Sequence, residues 1–387
     1  MPSPAQINLP SSIHIGANAI SLVGNEGQRF GLNNILIVTD PHMVKSASLV
    51  EIQQDLQYRD IGTFIYDQVN PDPTDVNVLE GLALLKDHQC DGILAFGGGS
   101  SIDAGKGIAI MATNEGTLSD YAGYNLIPHK GLPLFAIPTT AGTGSEMTKV
   151  SVISDTDREI KMMILDPHLT PSAAFVDYTL TFTMPKTLTA HVGVDTLSHG
   201  LEAFVSRKAN ATTDHMALFC MQQVGLHLVN AWSDPNDAVA REGMMLAASH
   251  GGMAFANSSV CLVHGMSRPL GAVFHLPHGL SNAVLLPAIT RFSAGSASEK
   301  YRMAAIAVGW ADETDSEEKA CMKLVEGLED LNRVVEIPRL RDCGITKQKL
   351  MDVLDKMAED ALASGSPQNN PRVPSQEEIK TMYLEAY

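Results

Sequence analysis

Basic side chains are in short supply. Lys and Arg number 27 against 44 Asp and Glu, a formal net charge of −17, which opposes binding to phosphate backbones or anionic lipid surfaces and sets nucleic acid and membranes aside as partners. Cysteine is scarce as well. Cys90, Cys220, Cys261, Cys321 and Cys343 are odd in number and scattered, with no CxxC pair, so neither a disulfide framework nor a cysteine-type zinc site is expected and the thiols read as reduced. No stretch approaches the roughly eighteen consecutive apolar residues of a membrane span. The first twenty residues also lack the basic start and apolar run of a secretory signal. The expectation is a soluble, cytoplasmic protein. There is no internal repeat and no low-complexity tract.

What is present is enough for two hydrophobic cores: 387 residues, 44% of them apolar, at roughly 150 residues per domain. Up to about residue 180, β-branched runs (35–39, 63–66, 92–96, 134–137 and 174–176) alternate with helix-length patterns such as 75–87 and 102–111. Alternation of this kind implies βαβ units and a mainly parallel sheet, whose ligands bind at the carboxyl ends of the strands. Beyond Pro185 the β signal fades. Segments 188–208, 213–232, 239–255, 317–331 and 348–363 carry 3.6-residue periodicity. We therefore expect an α/β domain over 1–184 and an all-α domain over 185–387, divided where Pro185 disfavours continuation of what precedes it. The acidic stretch 311–319 reads as solvated surface and 364–376 as a loop.

Gly92–Phe96 runs into Gly97-Gly98-Gly99-Ser100 and then a helical pattern. Glycines here let the backbone approach a ligand, and the N–H groups opening the next helix attract a phosphate. Neither GxGxxG nor a Walker motif fits, and a tight structural turn is the other reading. Asp40 closes the first strong strand, where a carboxylate can accept from ribose hydroxyls or cap the following helix. Pro138-Thr-Thr-Ala-Gly-Thr-Gly-Ser-Glu146 leaves another strand with hydroxyls able to line the same crevice.

In the helical half, Asp195 and His199 are spaced i, i+4, so both project from one helical face. His264 and His278 add two more imidazoles, from a separate helix and from a turn. One carboxylate and three imidazoles suit iron, zinc, manganese or nickel. Read singly, each is also an ordinary surface or satisfied side chain. Gly193, Gly200, Gly265 and Gly279 stand beside the four, where small neighbours are expected to leave room for an ion and a substrate.

Taken together and in this order, Gly97-Gly-Gly-Ser-Ser-Ile-Asp103, Pro138–Glu146, Gly193-Val-Asp-Thr-Leu-Ser-His-Gly-Leu-Glu202, His264-Gly-Met-Ser-Arg-Pro-Leu-Gly271 and Pro277-His-Gly-Leu-Ser-Asn-Ala283 resemble the iron-dependent (group III) alcohol dehydrogenase family. The resemblance spans nearly the whole chain. It implies an N-terminal dinucleotide-binding domain, an all-helical C-terminal domain, and a homodimer or higher homo-oligomer with residues 6–15 as a pairing edge. It implies a metal, Fe²⁺ or another divalent ion such as Zn²⁺, on Asp195, His199, His264 and His278. Gly98, Gly99 and Ser100 would hold the cofactor pyrophosphate, with Asp103, Thr139, Thr140 and Lys161 lining the site. An acidic residue at the place of Asp40 goes with NAD over NADP. The implied activity is hydride transfer between nicotinamide and a short-chain alcohol or aldehyde.

One position departs from the family pattern: Arg268 stands where many members carry a further histidine. An arginine is no general base at neutral pH, so proton release falls to His275, a hydroxyl or water. Arg268 lies i+4 from His264 and is a candidate for reading an anionic group on the substrate, or for a structural ion pair or a cofactor-phosphate contact. A glycerol dehydrogenase or dehydroquinate synthase on the same domain plan, and a non-catalytic nucleotide-binding protein, are the alternatives.

Overall fold

The computed structural model describes residues 4–387, so the first three residues of the expected 1–184 segment lie outside the description. The chain divides into two compact units, Gln6–Phe182 and Thr183–Tyr387. In the first, the strands are β1 (Ser12–Ile15), β2 (Asn34–Val38), β3 (Gly62–Tyr66), β4 (Gly92–Gly97), β5 (Gly123–Tyr124), β6 (Leu134–Pro138), β7 (Val150–Asp155), β8 (Ile160–Leu165) and β9 (Ala173–Val176). The helices are α1 (Val23–Arg29), α2 (Ala47–Tyr58), α3 (Asp75–Asp87) and α4 (Gly99–Met111).

Six strands form one parallel sheet in the order β1-β9-β6-β4-β2-β3. Its apolar runs are continuous because both faces are covered, as parallel sheets require. Leu36, Val38, Ile93, Ala95, Leu134 and Ala136 point to the side packed by Val78, Leu82, Ile102 and Ile108 of α3 and α4. Their neighbours Ile35, Ile37, Leu94, Phe96, Phe135 and Ile137 point to the side packed by Val23 of α1 and by Leu49, Ile52 and Leu56 of α2.

The strand order has a functional consequence. From β2 the chain moves outward to β3, whereas from β4 it moves the opposite way to β6. Adjacent strands whose connections diverge leave a crevice at their carboxyl ends, where doubly wound sheets bind ligands. Here that crevice opens between Asp40, after β2, and the Gly97–Ser100 turn, after β4. The second sheet, β5-β8-β7, was not anticipated. Its antiparallel β7–β8 pair is half-exposed and carries charge, so it lacks the uninterrupted apolar signature of the main strands.

The second unit is all helical: α5 (Lys186–Val205), α6 (Ala211–Ser233), α7 (Ala238–Asn257), α8 (Leu262–Phe274), α9 (His278–Ala294), α10 (Ser298–Ala307), α11 (Glu317–Val334), α12 (Lys347–Ala363) and α13 (Gln376–Ala386). The sequence reading places His264 on a helix, which is α8, but takes the start of α9 for a turn; Pro269 and Pro287 lie inside these helices, and an internal proline removes an i→i−4 hydrogen bond. Both helices persist because they are buried along most of their length. Within 311–319, read as solvated surface, Asp315 is instead buried and pairs with Lys319 and Lys323, each at 2.6 Å. No helix among the described residues is long and apolar enough to cross a membrane, and all five cysteines are free.

Helix approach in this unit depends on missing side chains. A Cβ at Gly225 of α6 would lie 2.1 Å from the backbone oxygen of Val308, just past α10. Backbone cannot swing aside as a side-chain tip can, so Gly225→Ala is expected to lower unfolding stability by about 1–3 kcal/mol, the usual range for overpacking. Urea unfolding checks this, with an unchanged midpoint as the contrary result.

Candidate metal centre and cofactor turn

The metal candidates converge. One ligating atom from each of Asp195, His199, His264 and His278 lies within 4.8 Å of all the others. Asp195 and His199 come from one face of α5, His264 from the first turn of α8, and His278 is the first residue of α9 rather than part of a turn. Asp195 Oδ1 is 3.7 Å from His199 Nε2 and 3.8 Å from His264 Nε2, while Oδ2 is 3.8 Å from His278 Nε2. Tetrahedral donors at metal bonds of about 2.1 Å stand about 3.4 Å apart, so the cage is the size of a first-row ion. Donor chemistry and spacing both fit such a metal. The side chains of Asp195, His199 and His264 are 3–6% exposed, against 52% for His278, so the cage opens on the His278 side.

Electrostatics suit a cation. Burial pushes the Asp195 carboxyl up, and the three imidazoles with the Asn282 amide more than offset it, leaving the group below its ordinary value. Burial, reinforced by the nearby His199, holds His264 well below the usual histidine range. A neutral imidazole with a free lone pair is the form that binds metal.

Glu202 explains which nitrogen that is. It continues the α5 stripe as the i+7 position from Asp195, and its Oε2 contacts His264 Nδ1. Its Oε1 accepts from the Val263 N–H at 2.6 Å. Burial pushes this carboxyl up to about 7, against the opposing pull of those donors. With Nδ1–H donating to Glu202, Nε2 of His264 is left facing the cage, the carboxylate–histidine–metal arrangement that orients ligands. Sequence reading missed Glu202 and Asn282, although both stand inside the motifs quoted above. The available signal was spacing: Glu202 is i+3 from His199, and Asn282 is i+4 from His278.

The flanking glycines do something other than make room for an ion and substrate. A Cβ at Gly193 would strike Leu228, at Gly200 Cys220 and Met221, at Gly265 Pro367, and at Gly279 the His191 backbone. They let neighbouring chain segments approach the ligand-bearing helices. The glycine that spares a ligand is Gly251 of α7, whose Cβ would sit 3.3 Å from His199 Cβ. The Phe255 ring packs beside His199 at 4.5 Å between centroids.

In the α/β unit, the turn after β4 is built from strain that glycine tolerates. Gly97 has φ +154°, and a Cβ there would lie 2.4 Å from Ser101 Oγ and 3.5 Å from Asp40 Oδ2. Asp40 is therefore beside the turn. Its Oδ1 accepts from the His42 and Met43 N–H groups at 2.8 and 2.9 Å, so its capping role is filled by one oxygen and the other faces Gly97. Thr139 N donates to Gly97 O at 3.0 Å, and the Thr140 side chain lies 3.6 Å from a Cβ at Gly98. Asp40, Gly98, Gly99, Thr139 and Thr140 thus gather at the switch-point crevice.

The side chains of three other candidates have protein partners. Ser100 Oγ donates to Pro71 O. Lys161, on β8, pairs with Asp72 at 2.8 Å. Asp103 accepts from Ser145 Oγ at 2.7 Å and from the Val152 N–H at 2.9 Å, tying α4 to the loop after β6 with one oxygen and to β7 with the other. Beneath the turn, Lys106 is fully buried and its Nζ donates to Ser145 O, Thr148 Oγ1 and Val150 O at 2.7–2.9 Å. It pins the loop that follows β6. His275 is exposed in the left-handed conformation that ends α8, φ +56°, outside the four-ligand cluster. Arg268 is half-buried on α8, with Nη1 3.4 Å from Ser364 O.

The profile of iron-containing alcohol dehydrogenases matches residues 10–178, and that of the C-terminal part of the Fe-containing alcohol dehydrogenase family matches 189–387. The chain belongs to the iron-containing alcohol dehydrogenase family. Within that family it is 37% identical over 380 residues to alcohol dehydrogenase 4 of Schizosaccharomyces pombe, covering 98% of this chain and 88% of the relative. It is 36% identical over 382 residues to 1,3-propanediol dehydrogenase of Klebsiella pneumoniae, covering 98% of each. The crystal structure of a 1,3-propanediol oxidoreductase superposes with a TM-score of 0.96 at 35% identity over the whole of both chains. The expected fold class, a parallel α/β portion followed by an all-helical portion, is that of this family member, and the chain is an oxidoreductase.

Two outcomes follow. Glu202→Gln removes the charge behind His264 and is expected to weaken zinc binding by roughly 10–100-fold, the usual effect of losing such a partner. Chelator competition measures it. Lys106 is lowered by burial to about 8, against the Asp103 and Glu146 carboxylates. The unfolded chain, with its ordinary lysine value near 10.5, binds the proton more tightly, so the contribution of Lys106 to stability grows as pH rises from about 8 to 10.5. Wild type should gain up to about 3 kcal/mol over Lys106→Met across that window; parallel pH profiles contradict it.

Proposed function

We propose that this chain interconverts short primary alcohols and aldehydes, using NAD in preference to NADP and a divalent metal on Asp195, His199, His264 and His278. The observation that carries the reading is the closure of those four donors on one point, with Glu202 behind His264. A divalent ion supplies Lewis acidity to a carbonyl or alcohol oxygen, and the nicotinamide supplies or accepts the hydride. The protein's part is placement. Asp195 brings a buried negative charge to the cation, and the exposed side at His278 leaves a direction for substrate approach. Iron is the metal the family name supports, with zinc chemically acceptable.

Support for NAD comes from Asp40. Its Oδ2 faces the Gly97 turn at the switch point, where a carboxylate accepts from a ribose 2′-hydroxyl and repels a 2′-phosphate. The first-turn N–H groups of α4, that of Ser100 among them, are the pyrophosphate donors in this reading, with Gly98, Gly99, Thr139 and Thr140 beside them and Asp103 and Lys161 bracing the surround. Arg268 brings a fixed positive charge within reach of His264, which favours substrates carrying an anionic group. His275 is the proton-release candidate, since its exposure gives it a path to water. The free cysteines agree with a cytoplasmic protein, and the open edge of β1 agrees with a homodimer or higher homo-oligomer.

The decisive experiment strips the protein with a chelator, reloads it separately with Fe²⁺ and Zn²⁺, and follows NADH and NADPH consumption with neutral and anionic short aldehydes. Metal-dependent NADH oxidation is the expected result, and silence with every metal and aldehyde despite NADH binding overturns the reading. Asp40→Gly should narrow the preference for NADH over NADPH by about tenfold or more, the scale of one charged contact. Arg268→His should lower kcat/KM for anionic aldehydes selectively. Equal effects on neutral and anionic aldehydes would remove Arg268 from substrate recognition.

A further inference from the structure

Asn282 stands at the metal cage without being one of its four ligands. Helix α9 places it one turn after His278, and it is fully buried. Its Nδ2 lies 2.6 Å from Asp195 Oδ1, 3.2 Å from His264 Nε2 and 3.1 Å from His278 Nε2. All three are metal-facing atoms. The Glu202 contact at Nδ1 makes His264 Nε2 an acceptor, so the amide group is correctly charged to face it. On its other side, Asn282 Oδ1 is buried and meets no hydrogen-bond donor among the described residues. Among the described residues, every hydrogen bond of its side chain is to an atom of the cage.

We propose that Asn282 is a positioning residue for the metal, its amide standing in for the ion in the metal-free protein. Four lone-pair donors, one of them a carboxylate, are forced together in a buried place, and without a positive partner they repel one another. The –NH₂ group supplies partial positive charge at that place and holds the donors converged. It has two hydrogens for three acceptors, so the contacts are shared. When an ion takes the imidazole lone pairs, at least one amide N–H loses its acceptor, so Asn282 stabilises the empty cage more than the filled one. Removing it must therefore destabilise the metal-free protein selectively and tighten ion binding, by linkage. The inference rests on the four residues forming a metal site, which zinc binding by the wild type tests separately.

The test uses the full chain, stripped by chelator, with Zn²⁺ as the probe. Melting temperatures are taken with chelator and with Zn²⁺, and zinc affinity comes from competition with a chelator of known affinity. Asn282→Leu, similar in size but without polar atoms, is expected to lower the melting temperature mainly in the metal-free state and to bind Zn²⁺ roughly tenfold tighter, the scale of one hydrogen bond to a charged acceptor. Asn282→Asp, which cannot donate when ionised and adds a second carboxylate, should shift both in the same directions and further. An Asn282→Leu chain that is unfolded when empty but folds on adding Zn²⁺ gives the same answer. Equal losses with and without zinc, or a chain unfolded in both, make Asn282 ordinary packing. Weaker zinc binding makes it a ligand. Either result overturns the proposal.

Discussion

A carboxylate buried inside a helical unit has to be answered by hydrogen-bond donors or positive charge, and the helical unit of this protein is organised around that requirement. Asp195 cannot remain ionised at 3% side-chain exposure in apolar surroundings without partners. The Asn282 amide donates to it directly at 2.6 Å, and imidazoles from α5, α8 and α9 converge beside it, where a cation would complete the charge balance. Each arrives by helical periodicity: Asp195, His199 and Glu202 along one stripe of α5, His278 and Asn282 along one of α9. The glycines of these helices serve the same end indirectly, because close helix approach is what lets side chains from separate helices meet. Glu202 then decides the outcome for His264, turning an imidazole with two equivalent possibilities into one with a defined inward lone pair.

The α/β unit solves a different problem. Its sheet is covered on both faces, so its ligand-binding capacity is confined to strand ends, and the reversal of chain direction between β2 and β4 selects which ends. Asp40, the Gly97–Ser100 turn and the Thr139–Thr140 pair occupy that place. Lys106 underlies it as a buried cation serving oxygens of Ser145, Thr148 and Val150 along the loop that leads into β7. Its charge is opposed by desolvation and retained by the nearby Asp103 and Glu146 carboxylates.

Much of this was legible in the sequence. The apolar runs that became β2, β4, β6 and β9 are buried on both faces and so carry a strong local signal, the half-buried edge strand β3 is legible from its β-branched and aromatic residues, and α3 follows its periodic pattern from end to end. The β7–β8 hairpin was not legible, because half-exposed strands with Asp155, Arg158 and Lys161 in or between them look like loop. Helix α8 was legible only as the helix expected to carry His264, and α9 was hidden, since each contains an internal proline whose disruption only tertiary burial offsets. The four candidate metal ligands stood out through chelate spacing and family resemblance. Asn282 and Glu202 did not, since a lone Asn or Glu on a helix has no chemical signature until its neighbours in space are known. Asp103 shows the converse: it belongs to the recognisable glycine-turn motif, yet the fold spends both its oxygens on Ser145 and Val152.

The central claim is that one divalent ion is held by one carboxylate and three imidazoles, and metal K-edge absorption spectroscopy of the zinc-loaded protein tests it most directly. The account predicts one zinc per chain, with oxygen and nitrogen scatterers at about 2.0–2.2 Å and the outer-ring scattering of three imidazoles. A sulfur shell near 2.3 Å, or a light-atom shell without imidazole scattering, would contradict it.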